Sequence, residues 1–175
     1  ENRYEAVHLD DDFRHSTFES ILINGTTVKL GIKISTTEHP FMPNVYNLGF
    51  GPLDGHFRID DKARLTHQDH SKVFSTIVFT AHSFLKANEG KYLGFDGSNT
   101  ARAYMYYRCI QNNYDYLNSI FNIYGIYYFL RVFRDGSDRN EPKDLFLAPD
   151  LLLPGKIIPA HKLYNYFIFN NKPGR

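Results

Sequence analysis

Two hydrophobic periodicities succeed one another along the chain. The first third alternates apolar and polar residues with a period of two, as a half-buried strand does. Phe18 to Ile23 leads into Asn24-Gly25, a pair that favours two-residue hairpin turns. The return run places Val28, Leu30, Ile32 and Ile34 on one face, with Lys29 and Lys33 on the other. Beyond the Pro-containing loop His39 to Pro43, the run Val45 to Phe50 is almost wholly apolar, the pattern of a central strand. Gly51 to Gly55 reads as a turn and His56 to Asp61 as a further short strand.

The period then changes to that of a helix. Val73, Phe74, Ile77, Val78, Ala81, Phe84 and Leu85 form one apolar stripe over Ser71 to Ala87, and Asn88-Glu89-Gly90 stops it. A strand at Tyr92 to Phe95 passes through a Gly97 turn into a second helix, Asn99 to Asn113. Phe121 to Tyr124 and Tyr127 to Phe133 read as strands, Asp135 to Asp144 as a polar loop, and Leu145 to Pro154 as a Pro-punctuated run. Leu163 to Phe169 reads as the last strand. The order predicts one α+β domain over residues 1–175, with a mostly antiparallel curved sheet carrying two main helices.

Candidate chemistry concentrates at the start of the second helix. In Gly97-Ser98-Asn99-Thr100-Ala101-Arg102 a strand passes through Gly into an Asn/Thr-capped helix, which turns several backbone N–H groups toward one spot. The positive end of the helix dipole favours an anion there, and Arg102 adds a fixed charge with a fork of donors. Lys72, a cation oddly placed in the first turn of the preceding helix, and Arg108 are expected to close the site. The same residues also make an ordinary N-cap, since Asn and Thr cap helices widely.

Composition narrows the classes. Hydrophobic residues make up 42% and charged residues 22%, a globular balance. At this length a fold buries about 70% of the unfolded surface. Twenty basic residues against 19 acidic ones give a net charge of +1, which does not favour a nucleic-acid or anionic-membrane binder. No apolar run has the roughly 18 residues of a membrane span. The first residues lack the layout of a signal peptide, and the absent initiating Met leaves room for a lost targeting segment. A cytoplasmic protein is the expectation. The single Cys109 suits a reducing compartment and reads as a buried small residue within a helix.

Other constellations are weaker. Asp60-Asp61 with His67 and His70 offers metal-ligand chemistry, but the spacing matches no strong signature and a structural or solvent-facing role is expected. His15-Ser16-Thr17 is half of a paired His-x-Thr phosphoesterase motif whose second half is missing. There is no phosphate-binding P-loop, Gly-x-Ser-x-Gly elbow, His-Glu-x-x-His pair or paired Cys motif. Tyr104, Tyr106, Tyr107, Tyr114 and Tyr116 offer an exposed subset for stacking a base or gripping a partner, with packing on the sheet the better expectation.

Four blocks carry a resemblance: Tyr46-Asn47-Leu48-Gly49-Phe50-Gly51, Ile59-Asp60-Asp61, Lys72-Val73-Phe74-Ser75-Thr76, and Gly97 to Arg102. In order and spacing the chain resembles a bacterial domain family of unknown function over about two-thirds of its length. That resemblance implies a fold and no activity. The order strand, helix, strand, helix and two strands is also similar to the C-terminal half of acetyl-CoA-dependent N-acetyltransferases. In those enzymes a glycine-containing loop before the third helix turns N–H groups onto the CoA pyrophosphate. The matching stretch here, His67 to Phe74, has no glycine. The leading functional expectation is a module binding a small anionic ligand, such as a nucleotide or phosphate-bearing metabolite, with no bound cofactor beyond a possible CoA or nucleotide. The alternatives are an acyl-CoA-dependent transferase and a protein–protein interaction module of a toxin, immunity or anti-phage system.

Overall fold

Among the described residues, eight strands and three helices follow one another as β1 (His8–Leu9), β2 (His15–Ile21), β3 (Thr27–Ile34), β4 (Val45–Pro52), α1 (His70–Ala87), β5 (Tyr92–Asp96), α2 (Thr100–Asn112), α3 (Tyr114–Ile120), β6 (Phe121–Ile126), β7 (Asp150–Leu151) and β8 (Tyr166–Asn171). The computed structural model describes residues 2–6, 8–56, 58–60, 63–97, 100–127, 149–155, 157–159 and 163–173. The strands form one sheet in the order β1-β2-β3-β4-β5-β8-β6-β7. Every neighbouring pair is antiparallel except β4 and β5. The fold is α+β, as the periodicities predict.

All three helices lie on one face of the sheet. Phe18, Leu30, Ile32, Leu48, Phe121 and Phe167 supply that face, and the apolar stripe of α1 packs on it. Among these, Leu30 and Ile32 stand two apart on β3, so the period of two read in the sequence is the inward face of a real strand. The opposite face carries a smaller cluster of Met42, Val45, Ile126, Tyr166 and Ile168. No helix among the described residues is long and apolar enough to cross a membrane.

Helix α1 starts where the sequence lets it. The Asp69 carboxylate accepts the Lys72 N–H at 2.8 Å, satisfying one donor of the first turn. The buried Thr76 and Thr80 hydroxyls donate back to the carbonyls of Lys72 and Thr76, so neither is left unpaired on the apolar side. The Lys72 N–H holds the Asp69 carboxyl below the ordinary carboxylate range. A depressed folded pKa stabilises above the unfolded value and ceases to as pH falls through the folded one. Asp69→Ala is therefore expected to lower the melting temperature at pH 7, and the gap to wild type should narrow at pH 3. A gap unchanged with pH would mean the carboxylate charge contributes nothing to the cap.

Two local expectations need correction. The Asn24-Gly25 pair is not the centre of a two-residue turn. Ile21 pairs with Thr27, Gly25 N–H reaches Leu22 O, and Gly25 takes φ +82°, so five residues make a turn closed by a left-handed glycine. Of the expected strand His56 to Asp61, the described residues show only a bridge between Leu53 and Ile59. The second helix ends at Asn112, within a residue of its expected end; Asn113 donates its side-chain amide to Cys109 O at 2.8 Å, and a short third helix, α3, follows it. The expected strand residues 128–133 and the polar loop 135–144 lie outside the described residues.

The one parallel pair among the described residues is short. Its ladder runs only from Val45↔Tyr92 to Asn47↔Gly94, although β4 continues to Pro52 and β5 to Asp96. Past Asn47, among the described residues, β4 is paired only with β3, and β5 only with β8. The Tyr166 ring lies across Gly94 and its hydroxyl donates to Asn47 Oδ1, bridging the two strands at the end of the ladder. Beyond that point the sheet opens toward the carboxyl ends of β4 and β5.

Candidate binding cavity

Where the sheet opens, α1 and α2 roof a cavity of about 730 Å³. Phe50 and Pro52 of β4, Phe95 of β5, and Phe167 and Phe169 of β8 form its floor. Val73, Phe74 and Ile77 of α1 and Met105, Tyr106 and Cys109 of α2 form its sides. Tyr106 stands edge-on to Phe95 and Phe167, with ring centroids 6.2 and 6.4 Å away, and Phe95 stands edge-on to Phe169 at 5.1 Å. Such contacts make the floor a fixed aromatic surface. Burial pushes the Cys109 thiol up to about 11, so it stays protonated at neutral pH.

The polar groups of the wall are few. Asp60, Arg64 and His67 come from the connection between β4 and α1, His70 from the first residue of α1, and Arg102 from the first turn of α2. The His67 ring meets Ser20 Oγ through Nδ1 at 2.9 Å and stands edge-on to the His70 ring at 5.8 Å. Burial, and then the charge of His70, hold the His67 imidazole below its ordinary pKa, which keeps it neutral at pH 7. Ser20 is fully buried. A mostly apolar concavity with a small number of convergent polar groups is the usual form of a small-molecule site.

Of the seven residues expected to bind an anion, the five that are described do not share one site. Gly97 is buried and its N–H donates to Asn165 O at 2.9 Å, so that donor is used within the fold. Its lack of a side chain is explained by packing: a Cβ there would stand 2.9 Å from Ala103 Cα. Ser98 and Asn99 lie outside the described residues, and Thr100 is exposed at the start of α2. Lys72 lays its ammonium 4.5 Å from the centroid of the Tyr4 ring, a cation–π contact that accounts for a cation at a helix start. Arg108 is exposed. Of the seven, Arg102 alone among the described residues lines the cavity.

His67, expected to have a structural or solvent-facing role, is half-buried in the cavity wall and bonded to Ser20. The signal in the sequence was Ser20 itself, a hydroxyl on the inward period of β2 beside Phe18. Among the described residues no group of three or more His, Cys, Asp or Glu side chains is placed to hold a metal ion; Asp61 lies outside them. The tyrosines divide: Tyr107 is buried, Tyr106 packs on the cavity floor, and Tyr104 and Tyr116 are exposed. Tyr114 donates to Leu152 O at 3.0 Å.

The elements from β4 through α1 to α2 build most of this cavity. A family model matches residues 1–140, four-fifths of the chain. The chain belongs to DUF6934, a family of unknown function. The matched region contains β1 to β6, all three helices and most of the cavity wall; β8, which completes the sheet between β5 and β6, lies beyond it. No curated protein and no solved structure matches the chain.

Proposed function

We propose that this member of DUF6934 binds a small amphipathic molecule, its apolar body in the cavity under α1 and α2 and its anionic end toward Arg64 and Arg102. The observation that carries the reading is the cavity: about 730 Å³, floored by aromatic rings, with a minority of polar groups in its wall. It lies beyond the carboxyl ends of a parallel strand pair, where open sheets commonly receive ligands. The anion-binding expectation is thereby kept in charge but moved from the backbone turn to the two guanidinium groups.

The test uses the single cysteine. Decanoate, the probe, is expected to slow alkylation of Cys109 by iodoacetamide at pH 8.5, read by mass spectrometry. At a hundredfold excess over Kd it should also raise the melting temperature by about 5 °C or more. Acetate and phosphate should do neither. Arg64→Ala with Arg102→Ala should weaken decanoate at least about tenfold while leaving 1-decanol unaffected. Absence of both protection and shift with decanoate and decanol alike would sink the reading.

A second reading, acyl transfer from CoA, is favoured by one observation. The run β4-α1-β5, with β4 and β5 parallel, followed by helices and two longer antiparallel strands, is similar to the order implied by the N-acetyltransferase resemblance. The start of α1 does not fit the cofactor. Where the resemblance puts a glycine-containing loop around the pyrophosphate, the Asp69 carboxylate already accepts the Lys72 N–H. A second anion there would meet a like charge. Millimolar CoA is thus expected to leave the melting temperature unchanged, and a CoA shift that grows on Asp69→Asn, which keeps a cap and removes the like charge, would revive the transferase.

A further inference from the structure

The cavity is polarised along its length. β4 and β5 are parallel neighbours, so α1 and α2, which follow them, both start beyond the same end of the sheet. The carboxylate, guanidinium and imidazole groups of the wall all stand there, and Arg64, His70 and Met105 are exposed. The other end is apolar and closed. Ala81 of α1, Leu117 of α3 and Phe121 of β6 line it, and all three are buried. One turn beyond Ala81, Phe84 and Leu85 are packed in the core and no longer line the cavity. Two measures give the length. His70 and Ala81 stand three turns apart on α1, about 16 Å along its axis. On the floor, Phe95 is level with Phe167 and Phe121 with Asn171, four residues farther along β8, which is about 13 Å.

Resting on the cavity reading above, we infer that the site takes a straight-chain carboxylate of about twelve carbons, head at the open end, and that Ala81 sets the length limit. Orientation follows from the two ends. Turned round, the carboxylate would be buried among Ala81, Leu117 and Phe121, where the lining offers no charged group to pair with it. Length follows from the stripe of α1. Every methylene laid along Val73, Ile77 and Val78 leaves water for an apolar wall and tightens binding. Ala81 turns the shortest side chain of that stripe into the cavity, and the space its single methyl leaves receives the end of the chain. A carbon beyond it meets the packed core, which does not open without strain. Ala81 is thus a specificity-determining residue.

The test is calorimetric titration at pH 7.5 with straight-chain carboxylates from octanoate to hexadecanoate, in two-carbon steps. On wild type each step up to dodecanoate should tighten binding about tenfold, and tetradecanoate should gain nothing further. Ala81→Leu should move that break to decanoate. Leu117→Ala, at the same closed end, should move it to tetradecanoate, so the limit is read in both directions. Ala101→Leu adds the same bulk at the open end and should leave the break at dodecanoate. Without ligand, Ala81→Leu should hold or raise the melting temperature, because its added carbons enter space already present. A fall of about 5 °C or more would show Ala81 walled off from the cavity and overturn the proposal. Affinity climbing to hexadecanoate without a break, or a break that ignores both closed-end variants, would overturn the length limit and leave the cavity standing. No binding at any length would overturn the cavity reading itself.

Discussion

Phe84→Ala is expected to lower the unfolding free energy by about 3–5 kcal/mol, and the melting temperature by about 10 °C. Phe84 is fully buried on the inner stripe of α1. Its ring stands edge-on to Tyr46 of β4 with centroids 6.0 Å apart, and the Arg14 guanidinium lies 5.0 Å from its centroid. Arg14 is in turn tied to Ser35 O, so the surroundings have little freedom to collapse into the space a truncation leaves. The cost is then the transfer of a phenyl group plus most of a cavity. Phe74, in the first turns of the same helix, gives the contrast. It lines a void that already exists, so Phe74→Ala should cost less than about 1.5 kcal/mol and enlarge the space available to a ligand. Denaturant melts of the two variants decide the point. Equal losses would mean that α1 is packed as tightly over the cavity as over β4.

Gly94→Ala is expected to cost about 2–3 kcal/mol, a large effect for one added methyl on a strand. The reason is the Tyr166 ring, which lies over Gly94 where a Cβ would stand, with its hydroxyl held by Asn47. To admit a methyl, Tyr166 must lift, losing the hydrogen bond and its edge contact with His39. A double-mutant cycle separates this from strand propensity. Tyr166→Leu has its own cost, but adding Gly94→Ala to it should then cost less than about 0.5 kcal/mol. An unchanged cost in the Tyr166→Leu background would show that the clash is not with this ring. Because the contact sits where the parallel ladder ends, both variants should also weaken decanoate binding more than their stability loss explains.

Much of the scaffold is legible in the chain. The inward face of β3, the apolar β4, the stripe of α1 and the short strand β5 are all local patterns, and the structure realises each within a residue or two at either end. The candidate site is legible only in part. Arg102 reads as a cation near a ligand, and it does line the cavity, yet not through the backbone turn that singles it out. The Gly97 N–H is bonded to Asn165, far along the chain, and no spacing rule in the neighbourhood of Gly97 announces that partner. Lys72 does not line the cavity, and its ring neighbour, Tyr4, comes from the far N-terminal end of the chain.

What the sequence by itself determined is the type of each main element and the side it turns inward. Those properties come from the spacing of apolar residues, which every segment carries within its own length. The tertiary structure alone decided which strands became neighbours. β8 enters between β5 and β6, and Tyr166 from β8 reaches across to Asn47 of β4, 119 residues earlier. The cavity and the pairing of Ser20 with His67 exist only because of such long-range placements. Periodicity reports that a face must be buried; which surface covers it, and where the cover leaves a gap, depends on the simultaneous packing of the whole chain.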